Sequence, residues 1–233
     1  MLVSPGEHRG CKIYLCVASA KAERQQEVFM NHSKQVRMIE LAILTSIILF
    51  LESTGLGMFK TFGLEFTILQ VPVIIGAVVI GPSAGAALGA VFGFVSFWEC
   101  FGKSPFGASL LAINPFLTFL VCVPTRILMG WCCGLIFKGM EKLLKEKNSL
   151  VQYVAASLSG ALLNTVFFMS MLCLCFYRTD FIQGLAVKLE TNNVLTFVIL
   201  FVGVQGLVEA LVCATLGTFI SKGVRHALHK KSL

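Results

Sequence analysis

Among the polar side chains within the apolar stretches, Asn114, Thr118, Arg126, Asn164, Gln205 and Glu209 carry the functional signal. Their cost in hydrocarbon means that each tends to face a cavity or a partner group. Thr118, Cys122 and Arg126 follow one another at i,i+4, as do Gln205 and Glu209, so each set shares one face of a helix. A guanidinium on such a face suits an anionic ligand. Arg126 and Glu209 fall at matching depth from the cytoplasmic ends of their stretches, so a structural ion pair is an equal reading, and both stand. Asn114, Asn164 and Gln205 have no evident charged partner and are expected to line a polar cavity.

Two other chemistries are weak on spacing. The nine cysteines include no Cys-x-x-Cys, and His8, His32, His226 and His229 lie outside the apolar stretches, so no metal site is expected. His226 and His229 stand at i,i+3, but beside Lys230 and Lys231 they read as a solvated interfacial tail. Gly102-Lys103-Ser104 resembles the end of a phosphate loop, yet Phe97 occupies the position where the pattern needs its first glycine. If ATP drives this protein, another polypeptide must supply the ATPase.

The elements that carry the polar residues are membrane spans. Hydrophobic residues make up 56% of the chain and charged ones 13%, about half the charged share of a soluble protein. Mean hydropathy is +0.83. From Phe66 to Trp98 no side chain ionises over 33 residues. One helix of that length would reach about 50 Å, far beyond the roughly 30 Å hydrocarbon core of a bilayer. The run must turn back, and Gly81-Pro82 near its middle supplies the break. Six spans are expected: Leu41 to Leu51, Phe66 to Ile80, Ser83 to Trp98, Ala112 to Phe137, Leu150 to Tyr177 and Val194 to Ile220. The fold class is an all-α membrane protein with no room for a soluble catalytic domain, and its pattern lacks the alternation of a β-barrel.

Basic residues in short loops stay on the cytoplasmic side. With the N-terminus inside, Lys34, Arg37, Lys138, Lys142, Lys145, Lys147, Lys222, Arg225, Lys230 and Lys231 all fall there, which makes both termini cytoplasmic. Lys60, Lys103, Arg178 and Lys188 fall outside, each near an acid. The formal charge of +7 then needs no nucleic acid partner, because anionic headgroups of the lipid bilayer and the membrane potential account for it. Residues 1–34 read as a poorly ordered leader rather than a signal peptide, and Met30 is an alternative start to Met1. Residues 35–228 form the transmembrane domain, and 229–233 a basic tail.

Close backbone approach drives helix association in lipid. Gly85, Gly89 and Gly93 make a smooth ridge on the third span, and Ala156 with Gly160 on the fifth, both expected to pack inside the bundle. Ala42 and Ser46 make a smaller notch on the first span, open to internal packing or to another membrane protein.

Thr67-Ile-Leu-Gln-Val-Pro72-Val-Ile-Ile-Gly76, Gly81-Pro82-Ser-Ala-Gly85-Ala-Ala-Leu-Gly89 and Phe92-Gly93 resemble the second and third helices of substrate-binding S components of energy-coupling factor (ECF) transporters. Asn114-Pro115, Pro124-Thr-Arg126-Ile-Leu-Met-Gly130 and Gly160-Ala-Leu-Leu-Asn164-Thr165 fall where those proteins carry their fourth and fifth helices. The resemblance covers about Gln35 to Leu228. It implies a six-helix protein, not itself an enzyme, that binds a vitamin from outside and delivers it through a transmembrane scaffold subunit and two cytoplasmic ATPase subunits in the bacterial cytoplasmic membrane. It implies further that Ala42 and Ser46 meet the scaffold, that Gly55 to Glu65 gates the pocket, and that ligand contacts come from the outer halves of the last three helices. Arg126 makes a carboxylate vitamin such as pantothenate the first candidate, with folate and riboflavin behind. A self-sufficient secondary transporter or channel for a small solute is the alternative.

Overall fold

The computed structural model describes residues 34–55, 57–61, 64–144, 150–188 and 193–230. Residues 1–33 of the expected leader, the alternative start at Met30 and the last three residues of the basic tail lie outside them, while Lys34, the leader's last residue, begins the first helix. The chain divides into two units, Met1–Glu40 and Leu41–Leu233, and all six polar residues belong to the second. Helix α1 covers residues 34–53. It is followed by strands β1 (Met58–Thr61) and β2 (Leu64–Thr67), then α2 (Gln70–Val79), α3 (Pro82–Glu99), α4 (Pro105–Ile113), α5 (Pro115–Leu144), α6 (Leu150–Phe176), α7 (Asp180–Lys188) and α8 (Val194–Val212). A π-turn, Cys213–Gly217, joins α8 to α9 (Thr218–Lys230).

The helical class holds, with three corrections to the spans. Strands β1 and β2 pair as an antiparallel hairpin, Met58 opposite Thr67 and Thr61 opposite Leu64, in the segment expected to be a loop. The second span therefore starts at Gln70 instead of Phe66 and runs ten residues. At about 15 Å it is half the thickness of a hydrocarbon core, and nearly all of it is buried among other helices. The fourth stretch is not one span from Ala112, because the chain breaks at Asn114 between α4 and α5. Among the described residues, three helical stretches are long and apolar enough to cross a membrane: Pro115–Leu144, Leu150–Phe176 and Gly206–Ala227. At the far end, α9 continues to Lys230, so the described part of the expected tail is helical.

Gly81 is required at the turn between α2 and α3: its φ of 130° is open to glycine and strained for other residues. From there α3 runs back along α5 with the backbones in contact. A Cβ on Gly85 would strike the carbonyl of Gly130, and one on Gly89 the carbonyl of Arg126. One on Gly93 would lie 2.8 Å from Val123 Cα. The glycine ridge thus packs inside the bundle, as expected. So does the one on α6, where a Cβ on Gly160 would meet Ile74 Cγ1 at 2.7 Å and Ala156 is fully buried. Ala42 and Ser46 behave differently. Both are exposed, and the Ser46 hydroxyl donates to the Ala42 carbonyl at 2.8 Å, which folds the hydroxyl back onto its own helix.

Gly89→Ala should destabilise the protein by about 1–3 kcal/mol, since a backbone carbonyl cannot move aside as a side-chain tip can. Gly139, with nothing near its Cβ position, is the control: Gly139→Ala should leave the melting temperature in detergent unchanged or slightly higher. Equal melting temperatures for Gly89→Ala and the wild type would contradict the α3–α5 contact.

Candidate functional site

Arg126 is held by its own helix and by two aromatic rings. Pro124 removes the donor that would serve the Leu120 carbonyl and loosens that turn of α5. In the turn, Thr125 Oγ1 donates to the Val121 carbonyl at 2.5 Å, and Arg126 Nη1 donates to the same carbonyl and to Thr125 Oγ1, both at 3.1 Å. The guanidinium carbon lies 4.5 Å from the ring centroid of Phe168 on α6 and 5.4 Å from that of Phe92 on α3. A cation over ring faces in a desolvated site gains about 2 kcal/mol, far less than its dehydration costs. Arg126 is 8% exposed and its Nε has no hydrogen-bond partner among the described residues. The site therefore holds a cation whose bonding capacity is incompletely used.

Asn164 stands one helical turn before Phe168. It too is buried, and its Oδ1 has no hydrogen-bond partner among the described residues. Asn114 and Thr118 meet local demands. Asn114 caps α5: its Oδ1 accepts from the backbone N–H of Phe116 at 3.0 Å and of Leu117 at 3.2 Å. Thr118 is buried and donates its hydroxyl to the Asn114 carbonyl at 2.9 Å. Gln205 lies on α8 one turn before Glu209, and its side chain is outside the described residues.

Glu209 is buried and reaches the start of α2. Its Oε1 accepts from the Thr67 N–H at 3.0 Å and its Oε2 from Gln70 Nε2 at 3.4 Å. Glu209 is within electrostatic reach of Arg126, but among the described residues the salt bridges are Lys103–Glu52 and Arg225–Glu141. Of the two readings of Arg126 and Glu209, the direct ion pair is the one the geometry does not support.

A cavity of about 540 Å³ opens at the end of α1 and α3, lined by Glu52, Ser53, Thr54, Gly55, Glu99, Lys103 and Ser104. None of the six polar residues lines it. Its rim accounts for the misleading Gly-Lys-Ser triplet. Lys103 Nζ bonds Glu52 Oε1 at 2.6 Å, a contact that raises the lysine pKa above its usual value, and Ser104 caps α4 by accepting from the Gly107 N–H at 3.2 Å. Sequence spacing did not single out Phe92, Phe168, Thr67 or Gln70. The available signals were Phe168 at i+4 from Asn164 and Phe92 beside the ridge glycine Gly93.

Arg126 is thus a buried, incompletely bonded cation, and Asn164 is a buried amide one turn along α6 from a ring that covers the guanidinium; sequence comparison points to a transport role. Residues 36–221 match the family described as "ECF transporter, substrate-specific component". The chain belongs to that family. It is also 33% identical over 107 residues to a pantothenate transporter, PanT, of Leuconostoc mesenteroides subsp. mesenteroides. That alignment takes in 45% of this chain and 49% of the relative, so the chain spans about half the length of the curated relative it matches.

The separate bonding of Arg126 and Glu209 has a measurable consequence. Glu209→Leu strands the Thr67 N–H and the Gln70 amide, each at a cost of about 1–3 kcal/mol, whereas Arg126→Met leaves Thr125 still bonded to Val121 and should cost little. Adding Arg126→Met to Glu209→Leu should not restore stability, because the second change gives the stranded donors no partner. Recovery of the melting temperature in the double variant would show that the two charges are paired after all.

Proposed function

We propose that this S component binds a small carboxylate vitamin, pantothenate first, from the outside of the bacterial cytoplasmic membrane. In this reading the chain crosses the membrane six times with both termini in the cytoplasm, residues 35–228 being the transmembrane domain. It hands its ligand on through a transmembrane scaffold subunit and two cytoplasmic ATPase subunits. The observation that carries the ligand class is the pair of buried polar atoms without partners, Arg126 Nε and Asn164 Oδ1. A carboxylate would take the guanidinium, and a hydroxyl or amide N–H of the same molecule would donate to Asn164. Pantothenate has all of these groups. The name of the partial relative supports the same choice. Gln205 would add a contact from α8, while Asn114 and Thr118 would hold the outer end of α5 in place.

The charge on the ligand can be tested directly with panthenol, the neutral alcohol that corresponds to pantothenate. Wild-type protein should bind pantothenate at least about tenfold more tightly, and Arg126→Met should lose that preference along with about 1.5 kcal/mol or more of affinity. Asn164→Leu should weaken both ligands. Equal affinity of the wild type for the two molecules would rule out Arg126 as the carboxylate's partner.

The exposed Ala42 and Ser46 notch supports a scaffold contact on α1. Vesicles holding this chain, scaffold and ATPases should take up pantothenate only with ATP. Ala42→Leu or Ser46→Leu should abolish uptake while leaving binding intact. Uptake by the chain alone, driven by a proton or sodium gradient, would favour a secondary transporter instead.

A further inference from the structure

We infer that Glu209 is a positioning residue for the Arg126 site, acting through the start of α2; the inference rests on the proposal that Arg126 binds a carboxylate ligand. A carboxylate that is 6% exposed needs donors, and Glu209 draws Thr67 and Gln70 from far along the chain. Between those two donors stand Ile68 and Leu69. Leu69 is fully buried and packs in one cluster with Val73, Phe92 and Met129. Phe92 is one of the two rings over which the Arg126 guanidinium lies. Leu69 and a ring that holds the guanidinium thus belong to one packed cluster, through which a shift of residues 67–70 would reach the site.

The same bonds serve Arg126 a second way. They keep the Glu209 carboxylate turned toward the donors at the start of α2, and among the described residues it forms no salt bridge with Arg126, which leaves the guanidinium to a ligand carboxylate. Gln70 offers a specific check. Its Oε1 has no hydrogen-bond partner among the described residues, so a half-turn of the Gln70 amide would let it accept from an amide N–H at position 209. Glu209→Gln should then keep both links, with Oε1 of the new amide still accepting from Thr67.

The experiment titrates pantothenate and panthenol into wild type, Glu209→Gln, Glu209→Leu and Arg126→Met. Binding stoichiometry is recorded, and hydrogen exchange at the Thr67 amide is followed without ligand. Glu209→Leu should weaken both ligands by a similar factor of about ten or more, keep their ratio and full stoichiometry, and speed Thr67 exchange about tenfold or more. Glu209→Gln should stay within about threefold of wild type on every measure, well under the 1.4 kcal/mol of a tenfold change. The inference is overturned if Glu209→Leu erases the pantothenate preference as Arg126→Met does. It is equally overturned if Glu209→Leu leaves affinity unchanged, or if Glu209→Gln is as damaging as Glu209→Leu. Should pantothenate not bind the wild type, the ligand reading fails. Thr67 exchange then still decides the positioning claim, for unchanged exchange in Glu209→Leu would refute it.

Discussion

Helices α3 and α5 lie backbone against backbone, and the placement of the site depends on that contact. Lipid offers no hydrophobic reward for bringing two apolar helices together, so the association must come from close packing, which needs residues without side chains at the seam. Gly85, Gly89 and Gly93 meet that need opposite Gly130, Arg126 and Val123. The carbonyl touched by Gly89 is that of Arg126 itself, and Phe92 stands between Gly89 and Gly93 on the same helix. Close approach of the backbones thus brings an aromatic face within 5.4 Å of the guanidinium. A larger residue at position 89 would push away both the helix and the ring.

With α3 fixed, α6 supplies the rest. Gly160 lets α6 approach Ile74 of α2, and one turn further along the helix Asn164 is buried, followed a turn later by Phe168 over the guanidinium. The cation is then held by rings and by carbonyl and hydroxyl oxygens of α5, an arrangement that retains the charge without neutralising it. An arginine paired with a carboxylate would be cheaper to bury and poorer at taking an anionic ligand. Glu209 is bonded to the start of α2 instead, so the two opposite charges share a region without cancelling in direct contact.

Much of this was legible in the sequence, and the remainder was hidden for identifiable reasons. The helical class, the turn at Gly81-Pro82 and the glycine seams follow from composition and spacing, because each rests on a local requirement: a charge-free run too long for one span, a residue that tolerates positive φ, or a four-residue repeat of small side chains. The β-hairpin does not show in the sequence because uncharged residues from Phe66 onward continue without a break into α2, and only the pairing with Met58–Thr61 separates strand from helix. Asn114 was read as lining a cavity, but Asn-Pro before an apolar run is also a helix-start signal, and capping accounts for the bonds of its Oδ1. Matching depth made Arg126 and Glu209 look like a pair. Depth says nothing of azimuth, and their separate partners became visible only in three dimensions.

The central claim is that Arg126 holds an anion. Native mass spectrometry of the purified protein, released gently from detergent, tests it without presuming which vitamin is bound. A small carboxylic acid should be retained one to one by the wild type and lost from Arg126→Met at equal folded yield. A neutral or cationic molecule retained equally by both proteins would contradict the claim.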